Sequence, residues 1–299
     1  ADEDAIYDEV MEINLSELEP LIALPHLPEN VVPVREVAGL KVDQVMIGSC
    51  TNTALNDVLS VAHILDGKRV HEDVDCGLYP STRTVIRESI NRGAYEKLVA
   101  SGVRMFEAIC GGCNGSGFAP KSEGVSLRTT PRNFFGRSGT KTAEVYLCSP
   151  ETAAASAITG VITDPRDLGI DPFVYEMPEK FVDDRDLFIM PSENPEEVEI
   201  RRGPNIKPIP EMKPMGDVTG GEVLLKLGDD VSTDHICPAG ANFLPIRSNI
   251  PEMSKYAFMV VDETFPERAK KADGGFLVAG TNYGQGSSRE QAAILPRYL

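Results

Sequence analysis

Histidine is scarce in this sequence. Only His26, His63, His71 and His235 occur, which excludes a catalytic centre built from several histidines of this chain. Positive charge is also short: 29 lysines and arginines face 46 aspartates and glutamates, a net charge of −17. That balance argues against a nucleic-acid or anionic-membrane surface spread over the molecule, although it leaves room for a small basic pocket. No apolar run approaches the roughly 18–20 residues that a membrane span needs. The opening Ala1-Asp2-Glu3-Asp4 lacks the basic start and apolar stretch of a signal peptide. Cysteine is too sparse for a disulfide scaffold, with six in 299 residues (Cys50, Cys76, Cys110, Cys113, Cys148 and Cys237). A reducing compartment, with a metal or redox use for some of the thiols, follows.

What is present is a folded, core-bearing chain, 41% apolar and 25% charged, long enough for two domains. In its first half, apolar runs alternate with helical patterns. Strands are expected at Val45-Met46-Ile47, from Cys76 to Tyr79, from Val103 to Ile109 and from Ala143 to Leu147. Helices are expected from Ala54 to Leu65, from Ser81 to Ala100, and after Ser149-Pro150, which supply an N-cap and a first-turn proline. This alternation predicts a mostly parallel sheet covered by helices. Nine prolines crowd the charged stretch from Asp164 to Gly216, a linker composition. Periodicity returns at Gly221, with strands expected at Val223 to Leu227, Ala257 to Val261 and Phe276 to Ala279, and a helix opening at Ser287-Ser288-Arg289-Glu290. The domains are therefore placed at 1–163, 164–216 (linker) and 217–299.

Cys50 and the pair Cys110-Gly111-Gly112-Cys113 each follow an expected strand. Residues at the carboxyl ends of parallel strands share one rim, so three thiols distant in sequence can converge there. The glycines permit tight turns and close approach to a bulky inorganic group. Three thiolates suit an iron–sulfur cluster with one iron free of protein ligands, or a zinc site with one further ligand, and spacing alone leaves the two even. Cys76, Cys148 and Cys237 read as packing residues.

Gly284-Gln285-Gly286-Ser287-Ser288-Arg289 departs from the dinucleotide-binding fingerprint, because Arg289 stands where its third glycine belongs, and it lacks the Gly-Lys-Ser/Thr of a P-loop. What remains is two hydroxyls and a guanidinium at a helix N-terminus, a setting that favours an anion or a developing alkoxide. An ordinary serine N-cap is the competing reading. Arg132 and Arg137 lie in a loop and could clamp carboxylates bidentately, or could simply be solvated. Asp234-His235 fits an oriented acid–imidazole pair or a turn with a capping Asp.

Together these stretches resemble the aconitase family. Gly48-Ser49-Cys50-Thr51-Asn52 and Cys110-Gly111-Gly112-Cys113 are similar to its cluster-ligand motifs, and Arg132-Asn133-Phe134-Phe135-Gly136-Arg137 to its substrate-arginine motif. Thr233-Asp234-His235-Ile236 and the run from Asn282 to Glu290 are similar to its swivel-domain motifs. The resemblance implies a three-layer, mostly parallel α/β/α domain linked to a smaller swivelling β/α domain. It implies a [4Fe–4S] cluster on Cys50, Cys110 and Cys113, and Ser287 as the catalytic base. Arg132, Arg137, Arg247, Ser288 and Arg289 would hold substrate carboxylates or steady the serine anion, with Asp234 and His235 in support. The implied reaction is dehydration and rehydration of a hydroxy-polycarboxylate, citrate to isocitrate through cis-aconitate, in the cytoplasm or, in a eukaryote, the mitochondrial matrix.

Departures from the family pattern touch specificity. Gly112 stands where a proline is usual, Asn114 replaces an apolar residue, Pro131 takes the place of an asparagine, and Gln291 replaces a histidine. A related hydro-lyase acting on homoaconitate, isopropylmalate or another malate is the alternative, followed by a cluster-free RNA-binding form and a zinc–thiolate protein. The family's two N-terminal domains, with further catalytic histidines, have no counterpart in the sequence. The expectation is therefore an incomplete chain, inactive alone, whose partners are the missing domains of the same enzyme and whose cluster is easily lost.

Overall fold

The computed structural model describes all residues except Ala1, Glu3, Asp184, Lys213, Gly240 and Ala241. The chain divides into two compact units, Ala1–Phe188 and Ile189–Leu299. The first is an α/β unit around a seven-stranded sheet. Its elements, in chain order, are β1 (Leu21–Ala23), β2 (Val31–Pro33), β3 (Gln44–Gly48), α1 (Leu55–Leu65), β4 (Asp75–Tyr79), α2 (Arg83–Asn91), α3 (Ala94–Ala100), β5 (Arg104–Met105), β6 (Val125–Arg128), β7 (Glu144–Cys148) and α4 (Pro150–Thr159). The strand order is β2-β1-β7-β6-β3-β4-β5. β3, β4, β5, β6 and β7 run parallel, whereas β1 is antiparallel to both of its neighbours.

All five residues of β3 are buried, as expected of a strand covered on both faces. Val45 and Ile47 face the main core with residues of α1, α3 and α4. Met46 faces the other way, into a smaller cluster with Tyr79, Phe106 and Phe118. From β3 to β4 to β5 the chain adds strands toward one edge, and from β6 to β7 toward the other. Right-handed crossovers then send α1 to α3 over one face and the segment between β5 and β6 over the opposite one. That opposite layer holds one 3-10 turn, Gly112–Asn114, in otherwise irregular backbone, because Gly111, Gly112, Gly115 and Gly117 disfavour a longer helix there. The strand order reverses between β3 and β6, and in open α/β sheets the crevice at such a reversal is where ligands bind.

Several expectations are corrected. The helix from Ser81 to Ala100 is two helices, parted at Arg92-Gly93, where Gly93 takes φ +71°. The strand from Val103 to Ile109 shrinks to β5: the Phe106 N–H makes the last bond to β4, donating to the Leu78 carbonyl at 2.9 Å, and its ring stacks on Tyr79 with centroids 4.2 Å apart. Cys110 therefore lies in a loop rather than at the end of a strand. At Ser149-Pro150, by contrast, the Ser149 hydroxyl caps α4 by accepting from the Thr152 N–H at 3.2 Å. Within the proline-rich stretch, Leu168, Ile170 and Tyr175 still pack against the first core.

The second unit holds β8 (Val223–Lys226), α5 (Thr233–Ile236), α6 (Ile250–Met253), α7 (Phe265–Ala272), β9 (Phe276–Val278) and α8 (Glu290–Tyr298). β8 and β9 pair in parallel, and Leu225, Ile236, Met253, Phe258, Phe265 and Leu295 centre the core. The expected strand from Ala257 to Val261 is a run of turns: Ala257 and Phe258 are buried side by side while Val260 and Val261 are exposed, which is not a strand's alternation. Among the described residues no helix is long and apolar enough to cross a membrane.

Candidate functional site

In the first unit the site grows from the carboxyl ends of β3 and β6. The Gly48 N–H donates to the Thr129 hydroxyl at 2.7 Å, and the Asn52 side-chain amide donates to the Thr129 carbonyl at 2.6 Å. The loop carrying Cys50 is thereby tied to the residue that follows β6, and Cys50 itself is exposed. The second loop, residues 110–118, is pressed against the sheet. A Cβ at Gly112 would stand 2.7 Å from both the Met46 methyl and the Tyr79 ring, so only glycine allows this approach. Gly115, at φ +86°, lies so close to the next loop that a Cβ would meet the Ser138 carbonyl oxygen at 2.2 Å. That contact brings the segment with Arg132 and Arg137 alongside the cysteines.

Arg137 Nη2 lies 3.6 Å from Cys113 Sγ, as donor to the sulfur. Burial pushes the Cys110 thiol above its ordinary value, the neighbouring Cys113 and Cys50 thiols push the same way, and the Arg137 guanidinium opposes them. The structure thus brings Cys50, Cys110, Cys113 and Arg137 into one electrostatic neighbourhood. Arg132 lies on the same loop, half-buried. Among the described residues three polar atoms here are buried without a protein partner: Arg137 Nε, Ser138 Oγ and Asn133 Oδ1. Such groups call for a ligand or water.

Among the described residues no three His, Cys, Asp or Glu are drawn together tightly enough to hold one metal ion. A cluster asks for less, because each of its thiolates binds a different metal atom. The donor set, the glycine cradle and the orphaned donors of Arg137 and Ser138 fit a three-thiolate group of that kind. The other three cysteines are buried. Burial pushes Cys76 and Cys148 up to about 12, leaving them as inert thiols.

In the second unit the Gly-rich turn rests on residues 229–233. Asp229 accepts from the Thr281 N–H at 2.7 Å, the Gln285 side chain donates to the Asp230 carbonyl at 3.0 Å, and the Thr233 N–H donates to the Gln285 carbonyl at 2.9 Å. Ser287 is half-buried and Ser288 exposed, both ahead of α8. Neither serine caps that helix: the N-cap is Arg289, with no side-chain cap.

Arg289 takes a different role from the expected carboxylate clamp. Its side chain is 4% exposed and ion-paired to Asp234 at 2.6 Å, and Nη1 donates to the carbonyls of Thr233 and Cys237 at 3.2 and 2.9 Å. A buried guanidinium must be compensated, and Asp234 does this. The acid–imidazole pair is accordingly not formed. His235 Nδ1 accepts from the Ser232 N–H at 3.0 Å, closing a capping box at α5. Arg247 is half-buried and lines a small cleft with Cys237, Phe243, Leu244 and Arg289.

Sequence reasoning missed Thr129, Asn52 and Ser138, which hold the loops together, because their roles lie in backbone contacts that carry no spacing signal. It also missed Arg128, which lies under the cysteine loop.

The family model described as Aconitase family (aconitate hydratase) matches residues 35–160, and that of the Aconitase C-terminal domain matches residues 250–299. The 3-isopropylmalate dehydratase large subunit of Caldanaerobacter subterraneus subsp. tengcongensis is 46% identical over 168 residues, 56% of this chain and 40% of the relative. Its counterpart from Heliobacterium modesticaldum is 44% identical over 169 residues, and that from Clostridioides difficile 45% over 170, with the same shares covered. The chain thus spans 40% of the length of the curated relatives it matches.

Proposed function

Because the chain belongs to the aconitase family, we propose that it is the cluster-bearing and C-terminal part of a hydro-lyase acting on a hydroxy-polycarboxylate. The observation that carries this reading is that Cys50 and Cys113 both lie close enough to Cys110 to raise its thiol, with Arg137 donating to Cys113, at the point where the strand order reverses. These three thiolates would hold a [4Fe–4S] cluster, which would supply a Lewis acid for the departing hydroxyl. Arg132 and Arg137 bind substrate carboxylates and fix the substrate beside the cysteines, the bidentate task for which a guanidinium is suited. Ser287, as its alkoxide, takes the proton from the carbon next to a carboxylate while the hydroxyl on the neighbouring carbon leaves as hydroxide with the electron pair of its C–O bond; the C–H pair becomes the carbon–carbon double bond, and the proton and hydroxide together are the water lost. Ser288 and Arg247 add contacts to carboxylates, and Arg289, braced by Asp234, fixes the backbone on which both serines stand. The remaining substrate contacts come from further domains of the same enzyme.

The relatives' printed names favour 3-isopropylmalate over the citrate to which the motifs alone pointed. Citrate stays as the second reading, on the name of the matching family model. Spectroscopy of the anaerobically reconstituted chain tests both: adding the true substrate should change the electron paramagnetic resonance signal of the reduced cluster. Arg137→Lys should weaken that response about tenfold or more, the scale of a lost charge-assisted hydrogen bond. A signal indifferent to 3-isopropylmalate, citrate and homologous hydroxy acids would overturn the reading.

A further inference from the structure

Arg128 closes β6 and is 0% exposed. The alternation of β6 puts Ser126 and Arg128 on the face of the sheet opposite the main core, beneath residues 110–118. Its guanidinium is fully engaged. Nε donates to Ser126 Oγ at 3.0 Å, Nη1 to the Gly112 carbonyl at 2.6 Å with Met46 Sδ at 3.2 Å, and Nη2 to Gln44 Oε1 at 2.8 Å and the Phe118 carbonyl at 3.0 Å. Among the described residues every one of these acceptors is neutral and no carboxylate pairs with it. Burial pulls the guanidinium down to about 10, still protonated at neutral pH, and the acidic groups whose field opposes that pull are the Cys113 thiol and the Tyr79 phenol. A buried cation without a counter-ion is costly, and truncating an ordinary strand arginine would leave no such arrangement to explain.

Two of the five contacts decide the role. Gly112 lies between Cys110 and Cys113, and Phe118 lies at the far end of the same loop. One guanidinium therefore clips both ends of the loop to β6, the strand that runs on into Thr129 and Arg132. Placed there, the charge sits beneath the backbone that joins Cys110 to Cys113, within the field of the Cys113 thiol.

Resting on the reading of Cys50, Cys110 and Cys113 as the ligands of an anionic cluster, we propose that Arg128 is the positioning residue of this centre and its buried counter-charge. It sets the backbone between Cys110 and Cys113 through the Gly112 and Phe118 carbonyls. The anionic thiolate-bound group supplies the negative charge that the guanidinium otherwise lacks, and the same field favours the more reduced, more negative state of that group.

Three variants of the chain separate the parts of this claim: Arg128→Met, Arg128→Lys and Gln44→Glu. The last places a carboxylate beside Nη2, keeps the guanidinium bonds to Gly112 and Phe118, and gives up the Gln44 amide's bond to the Ala119 carbonyl, outside residues 113–118, so it reports even if the methionine variant fails to fold. Amide exchange of the metal-free protein reads the positioning. Amides of residues 113–118 should exchange about tenfold faster or more in both Arg128 variants, the factor of a lost hydrogen bond to a charged group, and at the native rate in Gln44→Glu, with α1 and α4 unchanged throughout. A redox titration of the reconstituted protein reads the charge. The potential should fall in Arg128→Met and Gln44→Glu and stay near the native value in Arg128→Lys. Unchanged exchange in both Arg128 variants overturns the positioning role, and equal potentials in all three variants overturn the counter-charge. Should the native chain take up neither iron nor sulfide, the cluster reading and the counter-charge fall together, while the positioning role is still decided by exchange.

Discussion

Removing the Asp234 carboxylate tests how the second unit is held together. In Asp234→Ala, Arg289 keeps its bonds to the Thr233 and Cys237 carbonyls but loses its ion pair with Asp234, at 2.6 Å and its one ionic partner among the described residues, while its own side chain remains 4% exposed. Breaking a fully buried pair by deleting one member costs about 3–5 kcal/mol. Asp234 is 24% exposed, so water screens part of the pair, and roughly 2–3 kcal/mol is the expected cost. In a unit of this size that lowers the melting temperature by about 10 °C or more. The sequence contains no tryptophan, so circular dichroism or calorimetry is the assay. The double variant Asp234→Ala with Arg289→Met should recover much of the loss, because the stranded charge is then gone as well. A single variant that melts with the native protein, or a double variant that melts lower than the single, would refute this account of Arg289.

Other outcomes follow from the same contacts. Gly115→Ala should destabilise the first unit by about 1–3 kcal/mol, since its Cβ would meet the Ser138 carbonyl and the backbone stands at positive φ; urea unfolding measures it. Asp164 is held below the usual carboxylate range, first by its hydrogen bonds from the Arg166 guanidinium. Its contribution to stability is therefore present above the unfolded carboxylate value, about pH 4, and is lost as the pH falls through the lowered one. Arg166→Ala should weaken the protein at neutral pH and leave it close to native near pH 2, as acid unfolding followed by circular dichroism will record. On the hydro-lyase reading proposed above, Ser287→Ala should lower kcat of the assembled enzyme about 10²- to 10⁴-fold with little change in KM, the range for a lost general base.

The parts of the fold legible in the sequence were those with strong local signals. β3 is a run of buried residues bounded by a glycine, and α4 opens on Ser149-Pro150 and ends at Gly160, with φ +77°. β1 and β2 were missed because each is three residues long and set among prolines, so neither shows a period. The stretch from Ala257 to Val261 misled because five apolar residues in a row imitate a buried strand, whereas tertiary packing places Phe258 at φ +56°. In the candidate site, the cysteines and arginines stand out by residue type. What anchors them does not: Arg128 on a strand reads as a solvent-facing charge until the loop above it is seen to bury it. The Asp234–Arg289 pair joins residues far apart in sequence, and it displaced the Asp234–His235 pairing that adjacency suggested.

Metal and sulfide analysis of the anaerobically reconstituted chain beside Cys50→Ser, Cys110→Ser and Cys113→Ser tests the central claim most directly. The account predicts iron and labile sulfide in equal amounts on the native chain and loss of most of both in each variant. Stoichiometric zinc in place of iron, or full iron retention in all three variants, would contradict it.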